Sequence, residues 1–132
     1  MTQIIYLASP IDQGNTNTLR DKAKHELLIA GAVVFDPSAG WAVSKTAKPT
    51  PALQHANTAV LRYCSGVLAI LDPEVLTVGV ILEIQEAQAG GTPVVIYAPR
   101  LKPSWSLAYL GIEVHTDLYE AIDQLIGEAH HV

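Results

Sequence analysis

The chain has 132 residues, 49% hydrophobic and 16% charged, a composition that gives one domain (residues 1–132) a real core and excludes intrinsic disorder. Its net charge of −5, with only 8 Lys plus Arg and no basic cluster, argues against a nucleic-acid polymer as partner but not against a single nucleotide. A lone cysteine, Cys64, suits a reducing cytosol, and neither a membrane-spanning apolar run nor a signal-peptide pattern is present.

The first apolar run, Gln3 to Ser9 (QIIYLAS), reads as a buried strand. The loop PIDQGNTNT follows, rich in turn formers and N-cap residues. Leu19, Ala23, Leu27 and Ala30 then recur at helical spacing, with Gly31 as a stop. AVVFDP is a second strand, ended by Pro37, and SAGWAVSKTAKPT a long loop. Thr50 and Pro51 have the character of an N-cap and first helical residue, and Leu53, Ala56, Asn57, Val60, Leu61 and Cys64 form that helix's inner stripe. GVLAIL is a third strand, with Asp72-Pro73 at its end.

The next helix, entered through Gly79 and stopped at Gly90-Gly91, carries Glu83 among Val80, Ile81, Leu82 and Ile84. At ~100° per residue, Val80, Ile84 and Ala87 mark its apolar centre; Glu83 lies roughly 60° off it and Glu86 about 120°. An inward carboxylate is either stabilised by its helix terminus or held for chemistry. The first reading wants Glu83 exposed; the second wants it on the floor of a cleft. PVVIY is a fourth strand and APRLKPSWS a loop. LAYLGIEVHT gives a short helix, then a fifth strand near Ile112–His115. Asp117 and Glu120 have capping-box spacing, and Leu118, Ala121, Ile122, Leu125 and Ile126 mark a final amphipathic helix.

Continuously apolar strands alternating with helices imply an open, doubly wound α/β sandwich: five parallel strands with helices on both faces, Rossmann-like or flavodoxin-like. Ligands of such sheets bind beyond the carboxyl ends of the strands, here Ser9–Thr16, Asp36–Trp41, Asp72–Glu83 and Pro99–Ser106. Asp72 and Asp36 are strand-end acids or turn formers. Tyr6 is a core tyrosine or a partner for a carboxylate. Trp41 is a loop anchor or a platform for a planar ligand. SPIDQGNTNT is neither a P-loop nor a dinucleotide fingerprint. The five histidines lack metal spacing, no G-x-S-x-G occurs, and Cys64 reads as a buried structural thiol. No metal or cofactor is expected.

IIYLASPI, VVFDPSAGW and VGVILEIQEAQAGGTPVVIYAP together resemble the nucleoside 2-deoxyribosyltransferase superfamily. TVGVILEI, YAP and SLAYL are more similar to its deoxynucleoside 5′-monophosphate N-glycosidase branch. The resemblance implies an N-glycosidic bond cleaved through Glu83 as nucleophile, with Tyr6 positioning it, and a nucleoside or nucleotide as partner. It places Ala8, Ser9, Pro10 and Ile11, with Asp36, Trp41 and the motif Gly79, around the substrate. It also implies a homodimer or higher homo-oligomer, with Ser106 given to the neighbour's site. Three departures accompany it. Ser65-Gly66 stands where the family has an aspartate before its third strand, Thr77 replaces another, and the first loop has no arginine before Arg20. The proton donor to the leaving base therefore has no match, and Asp72 or Asp36 is the candidate. Base exchange and non-catalytic nucleotide binding stay open as alternatives.

Overall fold

A computed structural model of the chain describes residues 2–10, 15–37, 51–72, 78–100 and 111–130. Five strands, β1 (Ile4–Ala8), β2 (Val33–Phe35), β3 (Gly66–Ile70), β4 (Val94–Tyr97) and β5 (Val114–His115), alternate with helices α1 (Asn15–Ile29), α2 (Pro51–Leu61), α3 (Val78–Ala89) and α4 (Leu118–His130). All pairings are parallel, in the order β2-β1-β3-β4-β5. The expected five-stranded parallel α/β fold is the one observed.

Helix ends follow the local chemistry. α1 and α3 both stop in a Schellman arrangement: Ala32 N–H donates to Leu27 O at 3.1 Å and Thr92 N–H to Ala87 O at 2.9 Å. Gly31 and Gly91 occupy the left-handed positions these turns require, at φ 90° and 74°. At the start of α4, Glu120 N–H donates to Asp117 Oδ1 at 3.0 Å, which is the N-cap bond the sequence predicts.

Side chains alternate across the sheet and build two cores. Ile5 and Leu7 of β1 join Ala23 and Leu27 of α1 and Leu118, Ala121, Ile122 and Leu125 of α4. Tyr6 and Ala8, the alternate residues of β1, join Leu61 of α2 and Val80, Ile84 and Ala87 of α3. Packing is close where Leu125 crosses β3: a Cβ on Gly66 would come within 2.8 Å of Leu125 Cδ1.

Two expectations are revised. The fifth strand is two residues, Val114–His115, because pairing to β4 supports only Ile96↔Val114 and Tyr97↔His115. The second strand is three residues and is not buried throughout. It forms the sheet edge, so Val33 is exposed and Val34 and Phe35 only partly covered. Thr50, the expected short helix near Leu107–Leu110 and most of the long loop after Pro37 lie outside the described residues.

Candidate active site

β1 and β3 are adjacent, but their following helices cover opposite faces of the sheet. Their carboxyl ends are therefore the switch point of the sheet, beyond which such folds bind ligands. Tyr6 lies in β1, registered against Val67 of β3 on one side and Phe35 of β2 on the other. Its ring is fully buried in the core beneath α3, and its hydroxyl donates a hydrogen bond to Glu83 Oε2. This contact joins residues 77 positions apart.

Glu83 is partly buried, whereas Val80, Ile84 and Ala87 are wholly inside. That matches the helical angles: the carboxylate borders the core without entering its centre. Burial raises its pKa from 4.5 to about 7, against the opposing effect of the Tyr6 hydrogen bond. The expectation that the helix terminus keeps Glu83 ionised needs correcting. Glu83 is the sixth residue of α3, beyond the first turn over which the helix dipole acts, and desolvation prevails. Tyr6 is shifted strongly upward by burial and then by the Glu83 charge, with smaller contributions from Cys64 and Asp36. It thus remains a neutral donor across the physiological range. Cys64 is a buried thiol whose Sγ–H donates to Val60 O at 3.5 Å; burial pushes it up to about 11, which suits structure and not nucleophilic chemistry.

The strand-end acids sit against cations. Asp36 lies 3.7 Å from Lys24 Nζ and 3.9 Å from Arg20 Nε, with its side chain 8% exposed. Arg20 Nη1 donates to Pro10 O at 3.5 Å, and its buried Nε has no hydrogen-bond partner among the described residues. Asp72, whose side chain is 1% exposed, receives a hydrogen bond and ion pair from Arg100 at the end of β4. The structure therefore brings Tyr6 and Glu83 together and gives Asp72 to Arg100.

Ala8 and Ser9 are buried and Pro10 follows at the end of β1. Gly79 is exposed, and a Cβ there would meet nothing within 4 Å, so no neighbour in the described chain requires glycine. Ile11, Trp41 and Ser106 lie outside the described residues. Sequence reasoning missed Arg100 and Phe35. Arg100 is one of two cations in the fourth ligand-bearing segment, with nothing local to link it to Asp72, and Phe35 was hidden within an apolar run. A shallow hollow lined by Leu61, Arg62, Glu86, Ala89, Gly90 and Thr92 lies where α3 ends and β4 begins. That is the amino edge of the sheet, where ligands of this architecture do not bind. Among the described residues no group of three or more His, Cys, Asp or Glu could hold a metal, and no helix is long and apolar enough to cross a membrane.

The model of the family described as nucleoside 2-deoxyribosyltransferase matches residues 5–123, and the chain belongs to that family of enzymes. The fold is similar to that of a 2-deoxyribosyltransferase from Bacillus psychrosaccharolyticus (TM-score 0.76, 17% identity, 89% of this chain and 88% of the other). It is also similar to a 2-deoxyribosyltransferase from Leishmania mexicana (TM-score 0.71, 16% identity, 98% and 99%) and to a conserved protein from Enterococcus faecalis V583 (TM-score 0.68, 18% identity, 99% and 99%). No curated protein matches the sequence.

Proposed function

We propose that the chain cleaves the N-glycosidic bond of a deoxynucleoside, or of its 5′-monophosphate, with Glu83 as nucleophile and release of free base. The observation that carries this reading is the Tyr6–Glu83 hydrogen bond. An oxocarbenium-like transition state gains from a carboxylate under the anomeric carbon, which then traps it. One carboxylate oxygen of Glu83 attacks C1′. The C1′–N bond breaks, its electron pair stays on the base nitrogen, and the base leaves with a proton or a hydrogen bond. Water then adds to C1′, the glycosyl ester opens, and Glu83 is regenerated as the free sugar departs. With a pKa of about 7, Glu83 is ionised in a large fraction of molecules at neutral pH and yet poorly solvated, which favours attack.

In this reading Ala8, Ser9, Pro10 and Ile11 meet the sugar and its 5′ end, and Trp41 and Asp36 the base side. Gly79 lets the substrate approach the α3 backbone. Asp72 and Arg100 form the rim at which a proton or hydrogen bond meets the departing base. Arg20 and Lys24 bring positive charge to the ends of β1 and β2, which favours an anionic 5′ group. The partner subunit's Ser106 completes the site in a cytosolic homodimer.

Family membership supports base exchange, in which a second base and not water resolves the ester. Incubating the protein with deoxynucleosides and their monophosphates, with and without a second free base, separates the two by chromatography. Free sugar marks the hydrolase and exchanged nucleoside the transferase. Glu83→Gln is expected to lower either rate by at least ~10³-fold. Retention of nucleotide binding with no turnover in the unaltered chain would instead establish a non-catalytic binding module.

A further inference from the structure

We propose that Phe35 is a positioning residue that acts through the ring of Tyr6 to aim the Glu83 carboxylate. The inference rests on the reading of Glu83 as the nucleophile. A tyrosine has two side-chain torsions, so the direction of its O–H is defined only when the ring is held on its flanks. On one flank the parallel register sets Val67 of β3, which is fully buried. On the other it sets Phe35 of β2, with ring centroids 5.4 Å apart and planes 31° from parallel. That separation lies within the attractive range for aromatic pairs. Phe35 is the only phenylalanine in the chain and occupies an edge strand whose residues are otherwise exposed or partly exposed. Packing against Tyr6 gives an aromatic residue a purpose at that margin. Without it, one side of the ring borders solvent and the hydroxyl loses its fixed direction towards α3.

The titratable groups acting on Tyr6 are Glu83 from α3, Cys64 from the α2–β3 connection and Asp36 from the end of β2. Arg20 and Lys24 of α1 in turn pair with Asp36. The Tyr6 bond is the contact that lowers the pKa of Glu83. Loosening the ring therefore raises the Glu83 titration midpoint, provided the Tyr6 hydroxyl is present. Added hydration alone lowers the midpoint, and does so with or without that hydroxyl.

The test uses the full chain carrying Phe35→Ala or Phe35→Leu, each alone and combined with Tyr6→Phe. The Glu83 carboxyl is titrated by NMR with ¹³C-labelled glutamate, and base release from deoxynucleoside monophosphates is followed against pH. Phe35→Ala is expected to lower kcat about tenfold with KM within about twofold, and to raise the midpoint above about 7. Phe35→Leu, which keeps bulk against the ring, is expected to recover much of both. In the Tyr6→Phe background Phe35→Ala should leave the midpoint unmoved or lower it. An upward shift that survives without the Tyr6 hydroxyl overturns the inference, as does an unmoved midpoint in folded Phe35→Ala. A raised KM with unchanged kcat overturns it too, and makes Phe35 a substrate contact. If Phe35→Ala fails to fold, Phe35→Leu carries the same comparison with a smaller expected shift. Absence of base release from every substrate refutes the proposed function, while the NMR titration still decides the role of Phe35.

Discussion

The two faces of the sheet are built from the same strands and do different work. Under α1 and α4 the core includes Ile5, Leu7, Leu27, Leu68, Ile70 and Leu125, mostly aliphatic side chains, with Tyr97 its titratable member. Under α2 and α3 the corresponding layer contains Tyr6 and Cys64, and Glu83 stands at its border. β1 serves both, sending Ile5 and Leu7 one way and Tyr6 and Ala8 the other. A period of two thus lets one central strand send aliphatic side chains into one layer and the Tyr6 hydroxyl, bonded to Glu83, into the other.

The comparison can be broken most severely at Glu83. Beyond its effect on turnover, Glu83→Gln should change stability with a definite sign. An acid whose folded pKa is raised binds its proton more tightly when folded, so stability falls as pH climbs from about 4.5 to about 7. The variant should lack that decline and be more stable than the unaltered chain above pH 7, on the order of 1–3 kcal/mol, in urea melts across the window. On the opposite face, Leu125→Ala should cost roughly 2–5 kcal/mol in the same melts, with kcat per folded molecule unchanged. A large drop in kcat would show that the faces are not independent. Tyr6→Phe keeps the ring and removes a hydrogen bond to a charged group, worth roughly 1.5–3 kcal/mol. It should slow base release roughly 10- to 100-fold and move the acidic limb of the pH profile upward. The mildest probe is Gly79→Ala. With no tertiary neighbour among the described residues within 4 Å of the new Cβ, stability should hold or rise by up to ~1 kcal/mol, while KM rises if the substrate passes over that backbone.

Much of the fold was legible because each helix and strand advertises its own period and its own ends. Gly31, Gly91 and Asp117 made the capping bonds their residue types imply. Buried, continuous runs such as GVLAI gave β3 directly, with every residue inside. The order of strands is not a local property, however, and that is where reading stopped. VVF resembles the other strands, and only sheet order makes it an edge and Phe35 a flank for Tyr6. The site divides in the same way. Helical angle alone placed Glu83 between core and solvent, but its partner lies 77 residues earlier, beyond any periodicity, and only the family resemblance joined them. Asp72 looked like a strand-end acid free for proton transfer; Arg100, 28 residues later, engages it. Long-range electrostatic pairing has no footprint in the sequence around either residue.

The distance along the chain between Tyr6 and Glu83 also sets when their pairing can arise. During synthesis the first strand emerges well before α3, and until the two meet Glu83 is an ordinary solvated acid. The buried carboxylate with its tyrosine partner is therefore assembled and not encoded: it exists only once the middle of the sheet has closed.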